Sequence, residues 1–204
     1  MEVRILGCLL EKQQTTPEYY PLTENSLLAA CNQRSNREPV MELAAGDVRG
    51  ALGRLRDEVL AWPVEGARVE RWEHNLDRSW SLDAPGKALL TVLLLRGPQT
   101  VGELRGRCDR MHAFGSLGEV EAVLRRLASG EEPLVAELPR EPGRKETRWM
   151  HLVAGPPAQG VAGPRTDAAA VGTGLADRVA ALEARLDEIA AEIARLAASA
   201  EPKS

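Results

Sequence analysis

The chain has 204 residues, with 26 basic and 30 acidic side chains, a formal charge of −4, 44% hydrophobic residues and 3% aromatic ones. The acidic balance argues against an indiscriminate polyanion binder, which normally carries a clearly basic domain, and no apolar run reaches bilayer-spanning length. With so few aromatics, the core must be built from Leu, Val and Ala packed between helices, and the length suits two small domains with appendages.

In chain order, "VRILGCLLEKQ" sets Val3, Ile5, Leu6, Leu9 and Leu10 at helix period and predicts a core helix. After breaks at Pro17 and Pro21, Thr23 is placed to cap a second helix with Leu27, Leu28 and Cys31 inward. The polar block "CNQRSNREPVMEL" follows, and then Val48, Leu52, Leu55 and Val59 mark one face of a third helix. From Trp62 the alternation and a central Gly66 predict a β-hairpin, with "RSWSL" at 78–82 as its returning strand.

The pattern then restarts. "GKALLTVLLLRG" is an apolar helix, Thr100 with Glu103 and Ser116 with Glu119 have capping-box spacing, and Val120, Val123, Leu124 and Leu127 face inward. "PLVAELPREPGRKETRWMHLV" reads as strand, Pro/Gly-rich tip, strand. Helix, helix, helix, hairpin thus occurs twice, with Cys31 and Cys108 closing corresponding second helices, which predicts similar domains over about 1–83 and 84–154. The fold class expected is mainly α with small β-hairpins.

Residues 155–174 are rich in Ala, Gly and Pro and predict a flexible linker. Beyond it, over 175–198, Leu175, Val179, Leu182, Leu186, Ile189, Ile193 and Leu196 alternate spacings of four and three, the signature of a coiled coil, so a homodimer is expected. The competing reading is an amphipathic helix folded back on the domains. The N-terminus lacks a basic region followed by an apolar stretch, and Cys8, Cys31 and Cys108 are odd in number and far apart, so the expectation is a cytoplasmic protein with reduced thiols.

Three short helices followed by a two-stranded ribbon describe a winged helix, whose third helix enters the major groove and whose ribbon touches the backbone. The stretches "RILGCLLEKQQTTPEYYPLTENSLLAACNQRSNREPVMEL", "LLLRGPQTVGELRGR", "RMHAF" and "LPREPGRKETRWMHL" resemble the uncharacterised bacterial YceH-like proteins, over residues 4–153. That resemblance implies tandem winged-helix domains and DNA-related work. The family pattern has Ser or Thr where Ala44 stands here, so the third helix is expected to start without a side-chain cap.

Candidate DNA contacts are Arg34 and Arg37 in the polar block, Arg49 and Arg54 on the third helix, and Arg140, Arg144 and Lys145 at the second ribbon. Against them, Glu38, Glu42 and Asp47 dilute the first cluster, Glu119 and Glu121 open the second third helix, and Glu141 and Glu146 alternate with the ribbon cations. Residues 34–38 read equally as a hydrogen-bonded structural turn that locks helices or domains together. The rival to DNA binding is an adaptor whose winged helices dock another protein.

His74, His112 and His151 have no metal-ligand spacing, and no Gly-rich phosphate loop occurs, so neither a metal nor a cofactor is expected. Pairs such as Glu11 with Glu38, or His112 with Asp109, suggest no catalytic pocket, and no small-molecule pocket is expected. Met111, His112 and Phe114 read as a loop packed over the helices, and Trp62, Trp72, Trp80 and Trp149 as rings sealing small cores.

Overall fold

The computed structural model describes residues 1–64 and 69–155. The heptad segment from Leu175 to Leu196 and nearly all of the expected linker lie outside the described residues. Within them the chain is helical with small antiparallel sheets, and the order runs α1 (Glu2–Thr15), β1 (Leu22–Thr23), α2 (Glu24–Cys31), α3 (Ala45–Asp57), β2 (Ala61–Pro63), β3 (Arg71–His74), α4 (Leu76–Ser79), α5 (Ala84–Arg96), α6 (Val101–Cys108), α7 (Leu117–Leu127), β4 (Val135–Leu138) and β5 (Arg148–His151). None of these helices is long and apolar enough to cross a membrane.

The helix starts follow local chemistry. Thr23 accepts from the Ser26 amide at 3.2 Å, and Thr100 and Glu103 form both bonds of a capping box. Ala44 has no oxygen to offer, yet α3 is not left bare: the Asp47 carboxylate accepts the Ala44 N–H at 2.9 Å, which is the half of the box that needs no hydroxyl. At α7 Ser116 accepts from Glu119 N, while the Glu119 carboxylate takes the Gly115 amide, one residue earlier than the box predicts.

The first returning strand differs from expectation. It is "RWEH" at 71–74, whereas 76–79 forms a helical turn. Leu76 is fully buried at the start of this turn, and its carbonyl accepts the Trp80 N–H at 2.9 Å, a helical rather than a cross-strand bond. The corrected alignment sharpens the repeat, because Arg71, Trp72 and His74 correspond to Arg148, Trp149 and His151 at the same spacing that relates Thr23 to Thr100 and Cys31 to Cys108.

Sheet order in the first half is β1-β3-β2, with Leu22 opposite Trp72 and Ala61 opposite His74. In the second half β4 pairs with β5, and the third strand shrinks to Gln99, which exchanges two backbone bonds with Trp149 at 3.0 and 2.7 Å. Both tryptophans and both histidines are buried.

One hydrophobic core runs through both halves, from Ile5, Leu9, Leu27, Leu52 and Leu55 to Leu104, Val120 and Leu124. Helix α5 sits at its centre. Every residue from Ala88 to Leu95 is buried, as a helix apolar all round requires. Helix α1 lies close against α5 at Gly7, where a Cβ would come 2.8 Å from Leu95 Cδ2 and 3.1 Å from Leu94 Cβ.

Candidate functional site

The cations singled out in the sequence fall in three places. The first is the connection between α2 and α3. Arg37 is buried here, its side chain 0% exposed, and it is removed from the candidate DNA contacts. Its guanidinium grips both Glu11 oxygens at 3.0 and 2.6 Å and donates to the carbonyls of Ala30 and Asn36 at 3.0 and 2.9 Å. Burial by itself works to raise the Glu11 carboxyl, and the Arg37 fork more than offsets this, holding it below the ordinary carboxylate range.

Arg4, which the sequence did not mark, does similar work. It is buried and donates to Cys31 O at 3.2 Å and Pro39 O at 2.6 Å. Asn32 pairs reciprocally with the Leu43 backbone at 2.9 and 2.8 Å, closing the base of the connection. Its outer edge is fixed to α5: Glu38 N donates to Leu95 O at 2.9 Å, and Arg96 bridges Glu38 and Asn36. The polar block is therefore a structural clip between helices, and its acceptors are satisfied largely from within. Only Arg34 of its two candidates remains exposed.

The second place is the outer face of α3. Arg49 is 72% exposed and forks onto Glu24 at 2.8 and 3.3 Å, while Arg54 meets Glu2 at 2.5 Å. Val48, Ala51, Leu52 and Leu55 face the core and leave this outer face open. Gly46, Gly50 and Gly53 lie along it at spacings of four and three, and a Cβ at Gly46 or Gly53 would meet nothing within 4 Å.

The third place is the tip between β4 and β5. Arg140 Nε donates to Arg144 O at 2.9 Å, Arg144 pairs with Glu141 at 2.7 Å, and Lys145 is exposed. The tip of the first ribbon, residues 65–68, lies outside the described residues.

Elsewhere the polar and aromatic side chains are mostly structural. Arg105 holds the α6–α7 connection by donating to Phe114 O and Gly115 O, and Phe114 is buried with His112 edge-on at 4.6 Å. His74 is buried beneath Tyr20, and burial pushes its pKa down to about 4 against the opposing pull of Asp77. Cys8, Cys31 and Cys108 are buried free thiols. Among the described residues no cluster of three or more His, Cys, Asp or Glu side chains is arranged to hold a metal.

Comparison with known proteins places these features in a lineage. Residues 1–144 match the profile described as "Protein of unknown function, DUF480". A "UPF0502 protein" of Dechloromonas aromatica is 46% identical over 201 residues, covering 97% of this chain and 92% of that protein. Another "UPF0502 protein", from Geobacter metallireducens, is 56% identical over 157 residues, 76% of this chain and 72% of its own length. A third, from Azotobacter vinelandii, is 50% identical over 186 residues. On the strength of the profile and of these relatives, the chain belongs to the DUF480 (UPF0502) family of bacterial proteins, in agreement with the YceH-like resemblance in its sequence.

Proposed function

We propose that the chain is a non-catalytic, DNA-binding accessory protein of transcription-regulator type. In this reading two tandem winged helices, over 1–83 and 84–154, are held against a duplex, and the heptad segment from Leu175 to Leu196 makes the molecule a cytoplasmic homodimer. The observation that carries it is the outer face of α3, which presents Arg49 and Arg54 beside Gly46, Gly50 and Gly53, with open space among the described residues over Gly46 and Gly53 and only the Arg54 guanidinium near Gly50. Glycines there allow a phosphate backbone to come close, and exposed ion pairs of this kind are worth ~0–1 kcal/mol, so a phosphate can displace Glu24 or Glu2. Arg140, Arg144 and Lys145 at the second tip would add backbone contacts.

The alternative is a protein-docking adaptor. It is favoured by the same ion pairs, because Arg49, Arg54 and Arg144 each already face a carboxylate. Glu121, paired with Arg125 on α7, adds acidity to the second third helix.

Fluorescence anisotropy with a labelled random duplex tests the DNA reading. Affinity should fall steeply from low to physiological salt, with a log–log slope near ~−0.9 per neutralised phosphate. The paired substitution Gly50→Ala and Gly53→Ala supplies a sharper check. An exposed mid-helix glycine costs about 0.5–1 kcal/mol relative to alanine, so the variant should melt higher while binding the duplex more weakly. Absence of duplex binding even at low salt would reject the reading, and a stoichiometric protein partner in a pull-down would support the adaptor.

A further inference from the structure

No small-molecule pocket was expected from the sequence, yet an open cleft lies where the two halves meet. A cleft of about 500 Å³ is lined by the last turns of α1, by residues 33–36 of the clip and by Arg110 beyond α6. An adjoining hollow of about 250 Å³ shares Glu11, Thr15, Asn36 and Arg110 with it and adds Val92, Leu95 and Met111. Together they fall in the size range of small-ligand sites, about 300–1,000 Å³.

The cations around this space divide by what already occupies them. Lys12, Arg96 and Arg107 stand in the last turns of α1, α5 and α6, where they complement the helix dipoles. Lys12 is 3.5 Å from Glu11, Arg96 is engaged by Glu38 and Asn36, and Arg107 by Gln99 and Glu103. Arg34 and Arg110 lie on the connections beyond α2 and α6, and neither has a hydrogen-bond or ion-pair partner among the described residues. Two acids line this space: Glu11, whose oxygens are both held by Arg37, and Asp109, which borders the hollow next to Arg110.

The geometry points to a binding site for a small phosphate-bearing molecule, its phosphate held by Arg34 and Arg110 and its organic part lying along Val92, Leu95 and Met111. Guanidinium forks match phosphate oxygens two at a time, and the Ser35 hydroxyl and Gln33 amide are donors on the same wall. Arg34 belongs to the first half and Arg110 to the second, so the ligand would clamp one half to the other. The site is independent of whether the protein binds DNA.

Titration of the full chain with inorganic phosphate and with AMP at fixed ionic strength tests it, followed by amide NMR and thermal melting. Both should bind saturably, with shifts centred on residues 33–36 and 109–111, and AMP should bind more tightly because it also fills the apolar hollow. Arg34→Ala and Arg110→Ala should each weaken binding on the order of tenfold, with Arg34→Lys recovering part of the loss. Phosphate also stabilises proteins generally by exclusion from their surfaces, so an equal rise in melting temperature in wild type and in the double alanine variant would overturn the site. Shifts absent from both stretches of the wild-type chain would overturn it without recourse to any variant, and AMP binding no tighter than phosphate would overturn the role of the hollow.

Discussion

Arg37 and Glu11 show how a charged side chain that looks solvent-directed in the sequence becomes a core fixture. Removing one partner of such a buried pair strands the other and costs about 3–5 kcal/mol. Arg37→Ala and Glu11→Gln should therefore each lower stability by roughly 3 kcal/mol in urea unfolding, and residual duplex binding by the folded fraction should be unchanged. Because the folded Glu11 pKa lies below its ordinary value, the pair's contribution is present above about pH 4.5 and fades as pH falls through the folded value.

His74 adds a second window at the same scale. Its folded pKa of about 4 lies below the ordinary 6.5, so folding favours the neutral ring. Stability from this site is complete above pH 6.5 and is lost as pH falls towards 4, with Asp77 and Glu73 opposing the loss and Lys87 reinforcing it. His151, also buried with a lowered pKa, acts in the same direction. The double variant His74→Gln and His151→Gln should flatten the melting temperature between pH 6.5 and 4, measured against wild type; an unchanged slope would remove both residues from the account. Nothing in the sequence distinguished Arg37 from Arg34, three residues away, because burial of a guanidinium depends on where Glu11 and the Ala30 carbonyl come to lie.

Among the elements, α5 decides the architecture. Its run "ALLTVLLL" has no polar stripe, and a helix of that kind must be covered on every side. In the sequence this marked an apolar helix, and its consequence, that both halves pack on it, was available from the same residues. At Gly7 helices α1 and α5 come close, and Gly7→Val would drive a branched side chain into Leu94 and Leu95. A loss of about 1–3 kcal/mol is expected from such overpacking, read in thermal or urea unfolding, whereas Gly53→Val on the open face of α3 should cost much less. Caps were the most legible feature of the elements, since Thr23, Thr100 and Ser116 act through residues three positions away. The strand at 71–74 was misplaced because a four-residue strand carries little periodicity, and the Trp at 80 drew the alternation onto the helical turn beside it.

For the whole molecule, the heptad segment predicts an assembly that light scattering can check. Leu186→Asp puts a carboxylate at the centre of the proposed seam and should halve the mass in solution; an unchanged mass would end the dimer proposal. The repeat was expected from caps, inward leucines and the Cys31 and Cys108 positions, all local in the chain, whereas the Trp72–Trp149 and His74–His151 correspondence emerged only once the strand at 71–74 was placed. Helix order and the second ribbon followed from side-chain period, which the backbone geometry of each element enforces without reference to the rest. Tertiary structure alone decided that Arg37 is interior, that Arg4 and Arg96 hold the clip, and that Arg34 and Arg110 face one cleft. Those outcomes depend on contacts between residues far apart in sequence, where packing around α5 sets which polar groups lose water and must find partners, and no local pattern encodes that choice.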